Sequence, residues 1–147
     1  MNKEKDTVSI SFLYDFYNHY RDLRKHYSDY ICIVPEMEDK YGTLINDADK
    51  GKWDEQDKNR IVNARFNVRF FAIEVLLSYK ALKSEIKEFE TNFKEIEEQA
   101  KLVKNNIILD EEATEKLIDL LSLSIMSGVL KQFFVNAEQI MSGILNN

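Results

Sequence analysis

The sequence has very few turn-forming residues: one proline and four glycines make five in 147. An average protein devotes about 12% of its residues to these two types, so tight turns are scarce here. β-Sandwiches need a turn about every 8 to 12 residues, and doubly wound sheets need glycine-rich loops. Both classes are excluded. The sequence therefore predicts an all-α protein: an up-and-down bundle of four or five helices with one unusually long helix, in a single domain over residues 1–147.

Cysteine and excess positive charge are also missing. The single Cys32 forms no internal disulfide and leaves no cysteine-based zinc site, which is typical of the reducing cytosol. Acidic side chains outnumber basic ones 26 to 20, for a net charge of -6, which disfavours general nucleic-acid binding. The uncharged stretch between Asp119 and Lys131 is 11 residues long, short of the roughly 18 that a membrane span requires. We expect a cytoplasmic protein without cofactor or membrane contact.

Apolar and aromatic side chains at three-and-four spacing predict a first helix from about Thr7 to Ile33. Pro35 is expected to end this helix, because the residue before a proline avoids the α region and the ring has no N–H to donate. The same proline suits the first turn of a second helix, which Gly51 is expected to stop.

The segment from Asp54 to Asn105 contains neither proline nor glycine, and its apolar residues keep helical spacing throughout. Up to Leu82 the apolar side chains go most of the way round the helix, whereas after Lys83 only one seam is apolar. A single helix of this length would extend for about 75 Å, against a domain radius of gyration of about 15 Å. Either the helix breaks near residues 78–84, or its charged half projects and pairs with a second chain.

A last helix is predicted from Asp110, which suits the N-cap position, to about Leu145. It follows a stop at Asn105–Asn106 and is apolar on nearly all sides, so we expect it at the centre of the bundle. Gly128 and Gly143 share one face, which predicts close packing of helices within the chain or, alternatively, a homodimer seam.

The main catalytic candidate is Arg21 with His26, which have four residues between them on the first helix. The pair resembles the motif of the HEPN ribonucleases, small helical bundles in which both members of a dimer usually contribute an arginine and a histidine. The resemblance implies His26 as the acid or base at the ribose 2'-hydroxyl and Arg21 as the group that stabilises the phosphate. In the structural alternative, His26 packs among Leu23, Tyr27 and Tyr30 while Arg21 pairs with a carboxylate.

Arg65 and Arg69 lie one turn apart in the most apolar part of the long predicted helix. A buried arginine needs an acidic partner, so one hypothesis is an ion pair with Asp15, Glu74 or a loop carboxylate. The other is an exposed pair that recognises phosphate or an acidic partner. Together with Arg60, the two arginines also suggest a subunit that contacts nucleic acid in a larger complex.

Metal ligation is not indicated. His19 and His26 lie two helical turns apart, about 10 Å, which is too far to share a metal. In the segment Asn46–Gly51 the glycine fits a calcium-binding loop, but Ala48 and Lys50 then occupy ligand positions, so a polar loop is predicted.

The sequence as a whole favours a small acidic, non-enzymatic protein-interaction module that binds another protein, such as an inhibitor, immunity, adaptor or assembly subunit. Its basis is the negative charge, the missing catalytic constellations and an apolar seam in residues 83–104 that exceeds what a solvated helix needs. The HEPN-like ribonuclease and the nucleic-acid-contacting subunit are the alternatives. The candidate binding residues are Arg65, Arg69, Phe89, Phe93 and Ile96.

Overall fold

A computed structural model of the chain describes residues 2–42, 53–106, 108–126 and 131–146. These residues form five α-helices and one short 3-10 helix, with no strand among them, which confirms the predicted all-α fold with one long helix. The helices are α1 (Asn2–Tyr41), α2 (Glu55–Glu85), α3 (Phe93–Asn105), α4 (Glu111–Met126) and α5 (Lys131–Asn146), and the 3-10 helix covers Lys87–Glu90.

Side-chain contacts show that helices α1 to α4 form an antiparallel bundle. In three contacting pairs of these helices, residues towards the end of one helix meet residues towards the start of the other, so the paired helices run in opposite directions. The contacts are Lys40 with Asp57 and Phe16 with Tyr79 between α1 and α2, Tyr27 with Glu115 and Tyr20 with Ser122 between α1 and α4, and Tyr79 with Phe93 between α2 and α3.

An aromatic cluster fills the core at one end of the bundle. Phe16 of α1 is fully buried, and its ring meets three others edge to face: Tyr79 at 5.5 Å, Phe89 at 5.8 Å and Phe134 at 6.0 Å between centroids. Each such pair contributes about 0.5 to 1.5 kcal/mol beyond the burial of its area. Because the four rings come from α1, α2, the 3-10 helix and α5, the cluster joins these elements in one core.

The predicted end of the first helix at Pro35 is wrong, because α1 continues through the proline to Tyr41. The added turns are held by packing: Met37 is fully buried, and the ring of Tyr41 stacks on Trp53 at 4.5 Å between centroids. Such packing outweighs the one backbone hydrogen bond that a proline removes. The helix ends at Gly42, whose φ of +63° suits glycine and whose N–H donates to the Glu38 carbonyl at 2.7 Å.

The sequence also predicts a second helix from Pro35 to Gly51 and a polar loop at its end. The second helix predicted from Pro35 does not start there, since its first turns belong to α1. Its predicted stop at Gly51 and the polar loop Asn46–Gly51 lie outside the described residues.

The segment from Asp54 to Asn105 is broken, as one of the two alternatives predicts, at Ile86, two residues beyond the expected region. Ile86 is extended, with φ -126° and ψ 113°, and Asn92 before α3 is left-handed, with φ +67°. The projecting alternative is wrong, because α3 folds back along α2 and the ring of Phe93 stacks on Tyr79 at 6.1 Å. The turn carries Phe89, only 1% exposed, into the aromatic cluster, 5.1 Å from Tyr79 between centroids, whereas a straight helix would place it about 15 Å along the axis from Tyr79.

The predicted last helix begins as expected: the Asp110 carboxylate accepts the N–H of Ala113 at 2.9 Å, and α3 ends at Asn105. Its continuity is a wrong prediction, since α4 ends at Met126 and α5 begins at Lys131. The separate α5 can bring Phe134 against Phe16, which a straight extension of α4 would not do. Gly128, half of the predicted glycine face, lies outside the described residues.

Candidate protein-binding surface

Helix α2 carries apolar side chains on the face that it turns to solvent. Val62, Phe66, Phe70, Ile73 and Leu77 follow one another at steps of three and four residues, so they form one continuous row, called here the α2 stripe. Phe66 is 64% exposed, Leu77 55% and Phe70 44%, and Ile73 is half-buried. The rings of Phe66 and Phe70 stack on each other, with centroids 6.3 Å apart. The stripe is about 22 Å long.

The opposite face of α2 lies in the core, where Ile61, Val68, Ala72, Val75 and Tyr79 are fully buried. The helix is therefore apolar on both sides but covered on only one. An apolar helix face of this kind is ordinarily buried, and contiguous exposed apolar patches on soluble proteins mark interaction sites. The α2 stripe is accordingly a candidate surface for a partner protein.

Lysines border the stripe on the side of α3. The Lys83 ammonium lies 4.1 Å from the centroid of the Phe93 ring, which shows that this flank of α2 faces α3. Lys101 and Lys104 follow Phe93 at helical spacing and are exposed on the same flank of α3. Together with the exposed Lys80 of α2 they form a group called here the lysine rim, in which Lys101 lies 3.7 Å from the carboxylate of Glu97.

Histidines border α2 on the side of α1. The His26 ring lies parallel to Phe71, with 4.9 Å between centroids and 6° between planes, and His19 approaches the same ring at 6.4 Å. These rings fill the space between α1 and α2 at Phe71. The same row of α1 continues at steps of three and four residues through the carboxylates of Asp15, Asp22 and Asp29.

The structure does not bring Arg21 and His26 together within one chain. Five residues correspond to about 140° around a helix, so the two side chains leave α1 on different sides. His26 stacks on Phe71 of α2, whereas the Arg21 guanidinium lies 3.8 Å from the carboxylate of Asp22. As in the structural alternative, His26 packs on an aromatic ring and Arg21 lies beside a carboxylate. The ring that covers His26, however, is that of Phe71 on α2 and not one of its neighbours on α1.

Two of the three candidate arginines donate hydrogen bonds within the chain, and the third is buried. Arg60 donates to both carboxylate oxygens of Glu36, at 2.9 and 3.1 Å, and Arg69 donates to the backbone carbonyl of Asn106. Arg65 is only 8% exposed, and no carboxylate in the described part of the chain lies within 4 Å of it. Burial and, second, the charge of Arg65 lower the pKa of the Arg69 guanidinium. Arg65 and Arg69 are thus not an exposed pair.

The three predicted apolar binding residues lie in or against the core. Phe89 and Ile96 are 1% and 0% exposed, and Phe93 is half-buried beneath Lys83. The apolar seam of residues 83–104 is therefore buried within the chain.

The exposed α2 stripe was not among the residues that the sequence singled out for binding. The sequence does contain a sign of the stripe, because apolar residues lie on all sides of the helix up to Leu82. The same pattern is expected of a helix that is buried on all sides within its own chain, so it does not single out an exposed face.

Polar contacts at the other end of α2 have a structural role. Asp57 accepts hydrogen bonds from the Lys40 ammonium and the Tyr41 hydroxyl, both at 2.6 Å, and lies 3.6 Å from Arg60. The hydrogen bonds from Lys40 and then Tyr41 lower the pKa of the Asp57 carboxyl. The cluster fastens the end of α1 to the start of α2.

A groove of about 270 Å³ lies between α1 and α4, lined by Arg24, Tyr27, Ser28, Ile31, Glu115, Ile118 and Asp119. The Tyr27 hydroxyl donates to Glu115 at 2.9 Å, and burial is the main cause that raises the pKa of this hydroxyl. These two polar groups satisfy each other, and the remaining charges are of both signs. The groove therefore presents no activated acid, base or nucleophile that would indicate catalysis.

Among the described residues, no group of three or more His, Cys, Asp or Glu side chains is arranged to hold a metal ion. No single described helix has the length and hydropathy of a membrane span. Two helical segments, Glu111–Met126 and Lys131–Ile140, have that length and hydropathy only when taken together, and they are bent by 107° at the break between them.

Comparison with known proteins gives no match to a protein-family model, a curated protein or a solved structure.

Proposed function

We propose that this protein is a non-enzymatic protein-interaction module that binds another protein through the α2 stripe. The observation that carries the proposal is the exposure of Phe66, Phe70 and Leu77 in one line on a helix whose other face is already buried. This mode of binding, in which one rigid surface captures a partner, is compatible with an inhibitor, immunity, adaptor or assembly subunit.

The energetics of the stripe suit a binding surface. Full burial of one phenylalanine or leucine side chain contributes about 1.5 to 3 kcal/mol, and most of the binding free energy of an interface comes from a few large side chains near its centre. Phe66 and Phe70 occupy the middle of the stripe, and both are carried by a helix that the core holds in place. Little ordering is needed before they bind.

The two alternative functions lack comparable support. Cleavage of RNA by Arg21 and His26 would need both side chains free to reach a phosphodiester, whereas the His26 ring stacks on Phe71 and the Arg21 guanidinium lies 3.8 Å from Asp22. The nucleic-acid hypothesis relied on Arg60, Arg65 and Arg69, whereas the guanidinium groups of Arg60 and Arg69 are engaged with Glu36 and Asn106 and Arg65 is only 8% exposed.

The proposal is tested by affinity capture from the source cell, with quantitative mass spectrometry of the proteins that wild type, Phe66→Glu and Leu123→Glu retain. Phe66 and Leu123 are 64% and 60% exposed, so the two variants make a similar change on different helices. We expect the specific partner to be retained by wild type and Leu123→Glu and to fall at least about tenfold with Phe66→Glu. Circular dichroism confirms that both variants are folded.

Two results would contradict the proposal. If the same proteins are retained equally by all three forms, the α2 stripe is not the binding surface. If Leu123→Glu loses the partner as completely as Phe66→Glu does, binding responds to any added surface charge and not to this face.

A further inference from the structure

We propose that the partner segment at this surface is an acidic amphipathic helix that lies along the groove between α2 and α3. This inference rests on the proposed function and specifies the chemistry of the partner at the same site. It is carried by the shape of the stripe, by its position relative to α3 and by the lysine rim.

The shape of the stripe fits a helix. Phe66 and Ile73 are seven residues apart and form one row, and Phe70 and Leu77 form a second row with the same spacing. Two adjacent rows with a period of two turns match the three-and-four spacing of apolar anchors on a partner helix. The length of about 22 Å corresponds to about 15 residues, or four turns, of that helix.

The stripe faces α3 more than α1. Arg69 and Lys83 share one flank of α2, since they are fourteen residues apart, and both contact the α3 region, at Asn106 and Phe93. The row that contains Phe66 and Ile73 lies beside this flank. A helix seated on the stripe therefore rests in the groove between α2 and α3.

The other side of α2 is less open to a partner. There the ring of Phe71 is covered by His26 and approached by His19, both on α1. A helix seated on that side would have to displace these rings before it could reach apolar surface.

Charge then selects the partner. The lysine rim places the four ammonium groups of Lys80, Lys83, Lys101 and Lys104 beside this groove, and Lys101 pairs with Glu97, although the whole chain carries a net charge of -6. Carboxylates on the flanks of a partner helix would meet these ammonium groups, whereas a basic helix would meet like charge. Complementary charge of this kind supplies specificity and speeds association.

The test uses purified full-length protein and two labelled peptides of about 18 residues, long enough to form helix in a complex. Both peptides carry the same leucine stripe, and their flanks are glutamate in one and lysine in the other. By fluorescence anisotropy at about 50 mM salt we expect the glutamate peptide to bind about tenfold or more tightly than the lysine peptide, with a smaller difference at about 500 mM.

Three variants locate the site. Phe66→Ser removes the central apolar anchor without adding charge and should weaken the glutamate peptide about tenfold. Lys101→Glu combined with Lys104→Glu changes two exposed side chains and should abolish or reverse the preference for the glutamate peptide. Leu123→Glu, on α4, should leave both affinities unchanged.

The inference is overturned if the two peptides bind equally, if the lysine peptide binds more tightly or if neither binds. It is also overturned if sedimentation shows a dimer that Phe66→Ser converts to monomer, because a second copy then covers the face. These results are separate from a failure of the proposed function: a partner whose capture depends on Phe66 would preserve that function without an acidic helix.

Discussion

Asp57 is the residue on which the polar contacts at one end of the bundle converge. Its carboxylate accepts hydrogen bonds from Lys40 and Tyr41 and lies beside Arg60, which itself binds Glu36. These donors stabilise the ionised form and lower the pKa of Asp57, the bond from Lys40 being the largest cause. Near pH 4 the folded chain therefore binds fewer protons at this site than the unfolded chain does.

The sign of the resulting pH dependence follows directly. The stability from ionised Asp57 is fully present above its unfolded pKa, about 3.9, and is lost as the pH falls through the lower folded value. We expect Asp57→Asn to reduce the free energy of unfolding at neutral pH and to flatten its decline in acid. Urea unfolding at a series of pH values measures this, with Asp29→Asn, an exposed carboxylate elsewhere on α1, as the control. An acid decline as steep as that of wild type would contradict the expectation.

At the scale of elements, packing decides where a helix ends. Pro35 is exposed within α1, and the helix continues past it because Met37 and Tyr41 have partners beyond it. Conversely, α2 ends at Glu85 without any proline or glycine, because Phe89 reaches the core only if the chain turns. At Pro35 the local sequence favours a helix end and at Glu85 it favours continuation. At both points the burial of distant side chains decides the opposite.

Replacing Pro35 with alanine should stabilise the protein. A proline inside a helix costs about 3 kcal/mol or more, and its loss also makes the unfolded chain more flexible, which offsets about 0.4 to 1 kcal/mol. We expect Pro35→Ala to raise the free energy of unfolding by about 2 kcal/mol, and Pro35→Gly by about 1 kcal/mol less. Urea denaturation measures both. A lower stability for Pro35→Ala would indicate that the helix uses the proline as a terminus.

At the scale of the whole molecule, the core extends over the full length of the bundle. The aromatic cluster around Phe16 lies near one end, and Trp53, only 7% exposed, stacks on Tyr41 at the other. Phe16 and Tyr41 are 25 residues apart on α1, about 37 Å. One continuous helix joins the two regions, so they should unfold together.

Phe16→Ala tests this cooperativity. Removal of a fully buried phenylalanine costs about 3 to 5 kcal/mol, and the exposed Phe66→Ala should change the stability by less than about 0.5 kcal/mol. Trp53 is the single tryptophan, so its fluorescence reports the far end of the bundle. We expect Phe16→Ala to shift the fluorescence and circular-dichroism transitions equally. A fluorescence transition that stays at the wild-type position would mean that the two ends unfold separately.

Sequence alone predicts much of this fold and less of its surface. The helical spacing, the N-cap at Asp110 and the stop at Asn105–Asn106 are local signals, and all three are confirmed. Phe66 and Phe89 both belong to apolar patterns at helical spacing, yet one is 64% exposed and the other 1%. Spacing shows which residues share a helix face, but not whether another element covers that face.

The sequence by itself determined the helical class, because a chain with five turn-forming residues and persistent three-and-four spacing has no route to a sheet architecture. The tertiary structure alone decided that α1 passes through Pro35, that the chain turns at Ile86 and that Phe66 and Phe70 face outward. Each of these outcomes depends on contacts between residues far apart in the chain. Such contacts sum over the whole core, so no local pattern contains them.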